Sequence, residues 1–73
     1  MVVPQIITDI VKRNGFDYAK YLGEYKGEQV FQPCFDSEEA YFGRPRYLYM
    51  KGEKVRWSKS YDEASKTMYY FYD

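Results

Sequence analysis

The sequence predicts a small α+β domain with an N-terminal helix, two tandem β-hairpins that form a mostly antiparallel sheet, and a C-terminal helix. Three observations support this fold class. Apolar residues recur at helical spacing near the N-terminus, a Lys-Gly-Glu turn sequence occurs twice between aromatic and β-branched segments, and a Ser-x-x-Glu pattern precedes the last segment. The 73 residues have room for one such domain, spanning 1–73.

The first element is an amphipathic helix over residues 4–13. Pro4 suits the first helical turn, where a missing N–H costs nothing, and Lys12 and Arg13 place cations at the negative end of the helix dipole. Asn14-Gly15 then supplies a left-handed C-cap. The apolar stripe of this helix consists of Ile6, Ile7, Ile10 and Val11.

Two short segments repeat at an offset of 25 residues, and each predicts a hairpin. Residues 25–30 and 50–55 both read hydrophobe, Lys-Gly-Glu, polar residue, Val. Glycine at the first central position of a two-residue turn is typical of type II′ hairpins. The expected strands are 17–25 and 29–35 in the first hairpin, and 45–51 and 54–59 in the second. Gene duplication and independent use of the same turn chemistry both explain the repeat.

The register of the second hairpin follows from its turn. A Gly52-Glu53 turn opposes Lys51 to Lys54, and it pairs Met50 with Val55. The alternation then separates two faces cleanly, as a correct register requires. One face carries Leu48, Met50, Val55 and Trp57, and the other carries Tyr47, Tyr49, Lys51, Lys54 and Arg56.

The side chains of the first hairpin do not separate into an apolar and a polar face in this way. If Tyr25 and Val30 face the core, Leu22 and Phe31 point away from it. Either a β-bulge near Gly23 or burial on both faces of the sheet resolves the conflict. The sequence does not choose between them.

Two further capping patterns predict helical starts. Asp36 and Glu39 predict a single helical turn between the hairpins, and Ser60 and Glu63 predict the C-terminal helix. Residues 67–72 have strand propensity as well, but helix is the preferred interpretation. We expect both helices to cover the same sheet face. The core expected there is Ile6, Ile7, Ile10, Val11, Ala64, Met68, Leu48, Met50, Val55 and Trp57.

Composition argues against an enzyme. There are 11 Lys+Arg against 11 Asp+Glu, no His and one Cys, and no nucleophile–base pair or phosphate-binding loop occurs. The carboxylates of residues 36–39 are expected to cap a helical turn, and Cys34 is expected to be a small core residue. We therefore predict no catalytic residues, no cofactor and no metal site.

The expected location is the cytoplasm. The lone cysteine forms no internal disulfide, and the first residues lack the basic and long apolar regions of a signal peptide. No apolar stretch is long enough to span a membrane, so no membrane partner is expected.

The candidate interaction surface is the polar face of the second hairpin, formed by Tyr47, Tyr49, Lys51, Lys54 and Arg56. It lies in a basic segment (43–59) that follows an acidic one (17–42). Cross-strand pairs on a solvated sheet explain these residues in structural terms. The functional prediction is a small non-enzymatic protein-interaction module that self-associates through exposed Tyr and Phe. The alternative is a single-stranded nucleic-acid platform that stacks bases on the tyrosines.

Overall fold

A computed structural model describes residues 3–35 and 46–72. It has the α+β architecture that the sequence predicts, a small compact domain in which one helix precedes and one follows the four strands of a single sheet. The elements are α1 (Gln5–Arg13), β1 (Tyr18–Tyr25), β2 (Glu28–Cys34), β3 (Leu48–Lys51), β4 (Lys54–Trp57) and α2 (Tyr61–Tyr72). Neither helix within the described ranges is long and apolar enough to cross a membrane.

The sheet is an antiparallel meander with strand order β1-β2-β3-β4. The predicted register of the second hairpin is confirmed, because Lys51 opposes Lys54 and Met50 opposes Val55. One step further out, the Ser58 N–H donates to the Tyr47 carbonyl at 2.9 Å. The alternating pattern and a two-residue turn together were enough to determine this pairing.

The first hairpin combines both solutions that the sequence left open. Its register shifts between Tyr21 and Gly23, so Leu22 is the extra residue of a β-bulge. The bulge moves Leu22 to the same side as Val30, while Phe31 packs on the opposite side of the sheet. Both faces of this hairpin are therefore covered.

The two Lys-Gly-Glu sequences form different turns. In the first hairpin Tyr25 opposes Glu28, so Lys26 and Gly27 are the central residues, with φ of 52° and 80°. Positive φ at both positions defines a type I′ turn, and the predicted type II′ turn is wrong here. In the second hairpin Gly52, with φ of 62°, is the first central residue, as predicted.

The expectation that both helices cover one sheet face is wrong. Helix α1 buries Ile7 and Val11 against Phe31 and Leu48, whereas α2 buries Ala64 on the opposite face. The reason is that the bulged first hairpin makes both faces apolar, and each needs its own helix. Ile6, expected in the core, is 47% exposed on the outer side of α1.

Helix α2 begins as its capping pattern predicts. The Ser60 Oγ accepts the Glu63 N–H at 3.2 Å, and the Glu63 carboxylate accepts the N–H of Lys59 at 2.8 Å. Residues 67–72 continue the helix, which confirms the preferred interpretation. The helical turn predicted from Asp36 and Glu39 lies outside the described residues.

Candidate functional site

The two tyrosines of the predicted interaction surface are core residues. Tyr47 and Tyr49 are each 1% exposed, and they pack with Val30 and Ala64 beneath α2. The face assignment was correct, but the expectation that this face is solvated is wrong. Because α2 covers it, the two rings are not accessible for stacking on a ligand.

The hydroxyl of Tyr49 is satisfied by α2. It lies 2.6 Å from the Thr67 Oγ1, and the Thr67 hydroxyl in turn donates to the Glu63 carbonyl at 3.0 Å. Since a hydroxyl has a single hydrogen, Tyr49 is the donor of the first bond. Burial raises the pKa of Tyr49 above its ordinary value of 10.0.

Arg56 is the centre of an ion-pair network between three elements. Its Nη2 lies 2.7 Å from the Glu28 carboxylate, and its Nη1 lies 2.9 Å from the Glu63 carboxylate. Further bonds run from Nε to Glu28 at 3.2 Å, from Nη2 to Glu63 at 3.2 Å and from Nη1 to the Trp57 carbonyl at 3.4 Å. These contacts use the five N–H donors of a guanidinium.

The face of the same guanidinium is also occupied. The Arg56 Cζ lies 4.4 Å from the centre of the Tyr49 ring. The bonds to Glu63 and Glu28 raise the pKa of Arg56, and Arg56 lowers the pKa of Glu63. We conclude that Arg56 links the start of β2, strand β4 and α2 in the folded chain.

A shallow cleft of about 190 Å³ opens beside this network. Its lining carries three cations and three carboxylates, so it has no excess of either charge. Arg56 is paired with both Glu28 and Glu63, and Lys66 is paired with Asp62 at 3.2 Å. The lining residues are Tyr25, Lys26, Glu28, Tyr49, Arg56, Ser60, Asp62, Glu63 and Lys66.

The remaining members of the predicted surface are exposed but lie apart from the tyrosines. Lys51 and Lys54 oppose each other at the tip of the second hairpin. The structure therefore divides the five predicted residues into a buried pair of rings, a saturated guanidinium and two solvated lysines. It does not bring all five together as one accessible surface, although Lys51, Lys54 and Arg56 line one open cleft with Glu28 and Val55.

The large apolar side chains that are exposed are mostly tyrosines of α2. Tyr69 is 62% exposed and Tyr70 is 61% exposed, and more than half of the surface of Tyr72 and of Tyr61 is also exposed. We define the tyrosine patch as Tyr69, Tyr70 and Tyr72, in the last turn of α2. Helical periodicity alone does not locate it, because packing decides which side of α2 faces the sheet. Ala64, Thr67, Met68 and Phe71 lie on that side, and the three tyrosines are more than half exposed.

The patch lies where α2 crosses the edge of the sheet. Glu63 contacts β4 near the start of the helix, and Phe71 reaches Gly23 of β1 near its end. A Cβ on Gly23 would lie 2.9 Å from the Phe71 Cε1, so glycine at this bulge lets the helix pack closely on the sheet.

Two members of the tyrosine patch are held in place by the sheet. The Tyr70 ring lies 4.7 Å from the Tyr25 ring, and the Tyr72 hydroxyl donates to the Gln32 Oε1 at 2.6 Å. Tyr69 is the most exposed of the three. The patch is thus a set of three exposed rings in the last turn of α2, two of which contact the sheet.

Cys34 is half-buried at the end of β2. Its thiol lies 3.4 Å from the Gln32 carbonyl, and burial raises its pKa above the ordinary 9.0 despite contributions from Tyr18 and Lys20 that lower it. A thiol with a raised pKa carries less thiolate at neutral pH and is a weaker nucleophile.

Comparison with protein families, with characterised proteins and with solved structures finds no significant match to this chain. The fold and the chemistry of its surface therefore carry the functional argument alone. They define a small α+β domain with a saturated ion-pair network and an exposed tyrosine patch.

Proposed function

We propose that the protein is a small cytoplasmic, non-enzymatic interaction module that binds a protein partner through the tyrosine patch, with a second copy of the chain as its first partner. The observation that carries this proposal is the exposure of Tyr69, Tyr70 and Tyr72 on a helix whose other face is buried. Tyrosine is enriched at the energetic centres of protein interfaces, since its ring is large and rigid and its hydroxyl tolerates water.

The charge distribution supports a protein partner over nucleic acid. A nucleic-acid platform needs accessible rings beside unpaired cations. On the second hairpin Tyr47 and Tyr49 are buried, and Arg56 is held between two carboxylates. The nucleic-acid alternative would therefore have to rely on Lys51 and Lys54 without a stacking ring from this face.

Self-association is tested by light scattering of the intact chain at micromolar to millimolar concentration. We expect a mass that rises toward that of a dimer, and a Tyr69→Ser variant that needs a higher concentration to reach it. Tyr61→Ser is the matched control, because Tyr61 is exposed at the opposite end of the same helix. The control should associate like the parent chain.

Circular dichroism of both variants would establish that they remain folded. A strict monomer over the whole concentration range would contradict self-association. Equal weakening by both substitutions would contradict the assignment to the patch, because it would show a general effect of removing exposed rings from α2.

A further inference from the structure

We propose that the open cleft at the tip of the second hairpin binds an acidic segment of a protein partner, with one carboxylate held between the ammonium groups of two lysines. This lysine cleft has a volume of about 470 Å³, and it is lined by Glu28, Lys51, Lys54, Val55 and Arg56. None of the tyrosine-patch residues lines it, so the inference does not depend on the proposed self-association.

The register of the second hairpin brings the two lysines together. Lys51 and Lys54 are directly opposed on β3 and β4, and both are exposed. Directly opposed side chains lie on the same face of the sheet with Cβ atoms about 4.5–5.5 Å apart, and like charges in this position destabilise the pairing. Because lysine stems are flexible, both ammonium groups can reach one carboxylate. An anion between them would relieve the repulsion.

The carboxylate that lines the cleft is already bonded to another cation. The Glu28 Oε1 accepts from Arg56 Nη2 at 2.7 Å, and the Glu28 Oε2 accepts from Arg56 Nε at 3.2 Å. Within residues 3–35 and 46–72, neither Lys51 nor Lys54 forms an ion pair. The lining thus carries three cations and one carboxylate, whereas the cleft beside α2 carries three of each. This excess of positive charge calls for an acidic partner.

The rest of the lining favours a peptide over a nucleic acid. Val55 and the methylene stems of the lysines give a partner side chain apolar surface to pack on. No aromatic ring of the described residues lines the cleft, so it offers no platform on which a base could stack. The Glu28 carboxylate on the wall also opposes a continuous row of phosphates. We therefore assign the cleft to glutamate or aspartate side chains.

The test uses the full chain and two short peptides that differ only in charge. Acetyl-Gly-Glu-Glu-Gly-amide and the same peptide with glutamine are titrated at low ionic strength while the side-chain resonances of Lys51 and Lys54 are followed by NMR. We expect saturable shifts with the glutamate peptide that weaken as salt is added, and much smaller shifts with the glutamine peptide. Equal shifts with both peptides would overturn the proposal. Tighter binding of inorganic phosphate or of a single-stranded oligonucleotide would overturn the assignment to an acidic peptide.

Lys54→Glu separates binding from folding. It replaces the like-charge pair by a pair of opposite charges, so the hairpin should be at least as stable as in the parent chain. The glutamate peptide should bind this variant at least tenfold more weakly, because a carboxylate now takes the place that the peptide would occupy. Undiminished binding to Lys54→Glu, with urea unfolding showing an intact fold, would overturn the proposal.

Lys51→Gln and Lys26→Gln form a matched pair. The two lysines have the same place in the repeated Lys-Gly-Glu sequence, but Lys26 lies in the turn of the first hairpin with its Nζ 5.3 Å from the Tyr25 ring. Lys51→Gln should weaken binding of the glutamate peptide about two- to fivefold, the effect of one exposed ion pair. Lys26→Gln should bind like the parent chain. Equal weakening by both would overturn the proposal, because it would show a general effect of net charge.

Discussion

Arg56 resembles a ligand-binding residue in the sequence but has a structural role in the fold. On the sequence it is a cation beside tyrosines in a basic segment, which is also the pattern of a nucleic-acid surface. In the structure its donors are used by Glu28, Glu63 and the Trp57 carbonyl, and Tyr49 covers one of its faces. The two carboxylate partners of Arg56 lie 28 residues upstream and 7 residues downstream, so no local pattern predicts that all its N–H donors are used.

The network predicts a pH dependence of stability at residue scale. Arg56 lowers the pKa of Glu63 in the folded chain below its ordinary value of 4.5. The stabilisation that ionised Glu63 contributes to the fold is thus fully present above the pKa of Glu63 in the unfolded chain. It is lost as the pH falls through the lower pKa of Glu63 in the folded chain. Replacing Glu63 by Gln should lower the free energy of unfolding by about 1 kcal/mol at pH 7, and the difference should shrink below pH 4.5.

Urea denaturation of the parent chain and the variant between pH 3 and pH 7 measures this difference (about ten conditions suffice to define the trend). Asp62→Asn is the matched control, because Asp62 lies in the same helical turn and its ion pair with Lys66 is largely exposed. The control should change stability by less than about 0.5 kcal/mol. Parallel curves for Glu63→Gln and the parent chain would contradict the prediction.

At the scale of elements, the hairpins show that a turn sequence does not determine its own register. The two Lys-Gly-Glu segments are equivalent in sequence, yet Lys26 is a central turn residue and Lys51 is a strand residue. The turn itself pairs Tyr25 with Glu28, and the bulge at Leu22 shifts only the outer part of the hairpin, residues 18–21 against 31–34. It places Leu22 in the α2-side core with Val30 and leaves Tyr21 in the α1-side core with Phe31.

This difference predicts that glycine has unequal effects at the two lysines. Lys26→Gly should leave the free energy of unfolding nearly unchanged, since Lys26 has φ of 52° and glycine adopts positive φ without steric cost. Lys51→Gly should lower it by about 1 kcal/mol, because Lys51 is in β3 and glycine weakens a strand. Thermal or urea unfolding of the two variants provides the comparison. Equal losses would contradict the assignment of different turns.

At the scale of the whole molecule, the sheet is shared by two small cores. Ile7, Val11, Phe31 and Leu48 are buried on the α1 face, and Val30, Tyr47, Tyr49 and Ala64 are buried on the α2 face. Neighbouring residues of one strand, such as Leu48 and Tyr49, belong to different cores. Loss of either helix would expose one apolar face of the sheet, so we expect the two cores to unfold together.

Val11→Ala tests this coupling. It should lower the free energy of unfolding by about 1–3 kcal/mol, because Val11 is fully buried. Trp57 fluorescence, which reports on the α1 face, and far-UV circular dichroism, to which the longer α2 contributes most, should give coincident transitions. Ile6→Ala in the same helix is the control and should have a smaller effect. Separate transitions would contradict a single cooperative unit.

Much of the fold was predictable because its signals are local. Residues 5–13 carry a helical stripe, Ser60 and Glu63 mark the start of α2, and the second hairpin alternates cleanly about its turn. The candidate site was less predictable, because the alternation of side chains along β3 is the same whether the face that carries Tyr49 is solvated or covered by a helix. The ring is buried because α2 brings Ala64 and Thr67, the latter 18 residues away, onto this face.

The sequence by itself determined the order and type of the elements, the pairing of β3 with β4 and the separation of their two faces. These follow from side-chain periodicity and turn chemistry, which act over a few residues. The tertiary structure alone decided that α1 and α2 cover opposite faces, that Tyr47 and Tyr49 are core residues, and that Tyr69, Tyr70 and Tyr72 are exposed. The physical reason is that burial depends on what the rest of the chain brings to each face, and a local pattern does not contain that information.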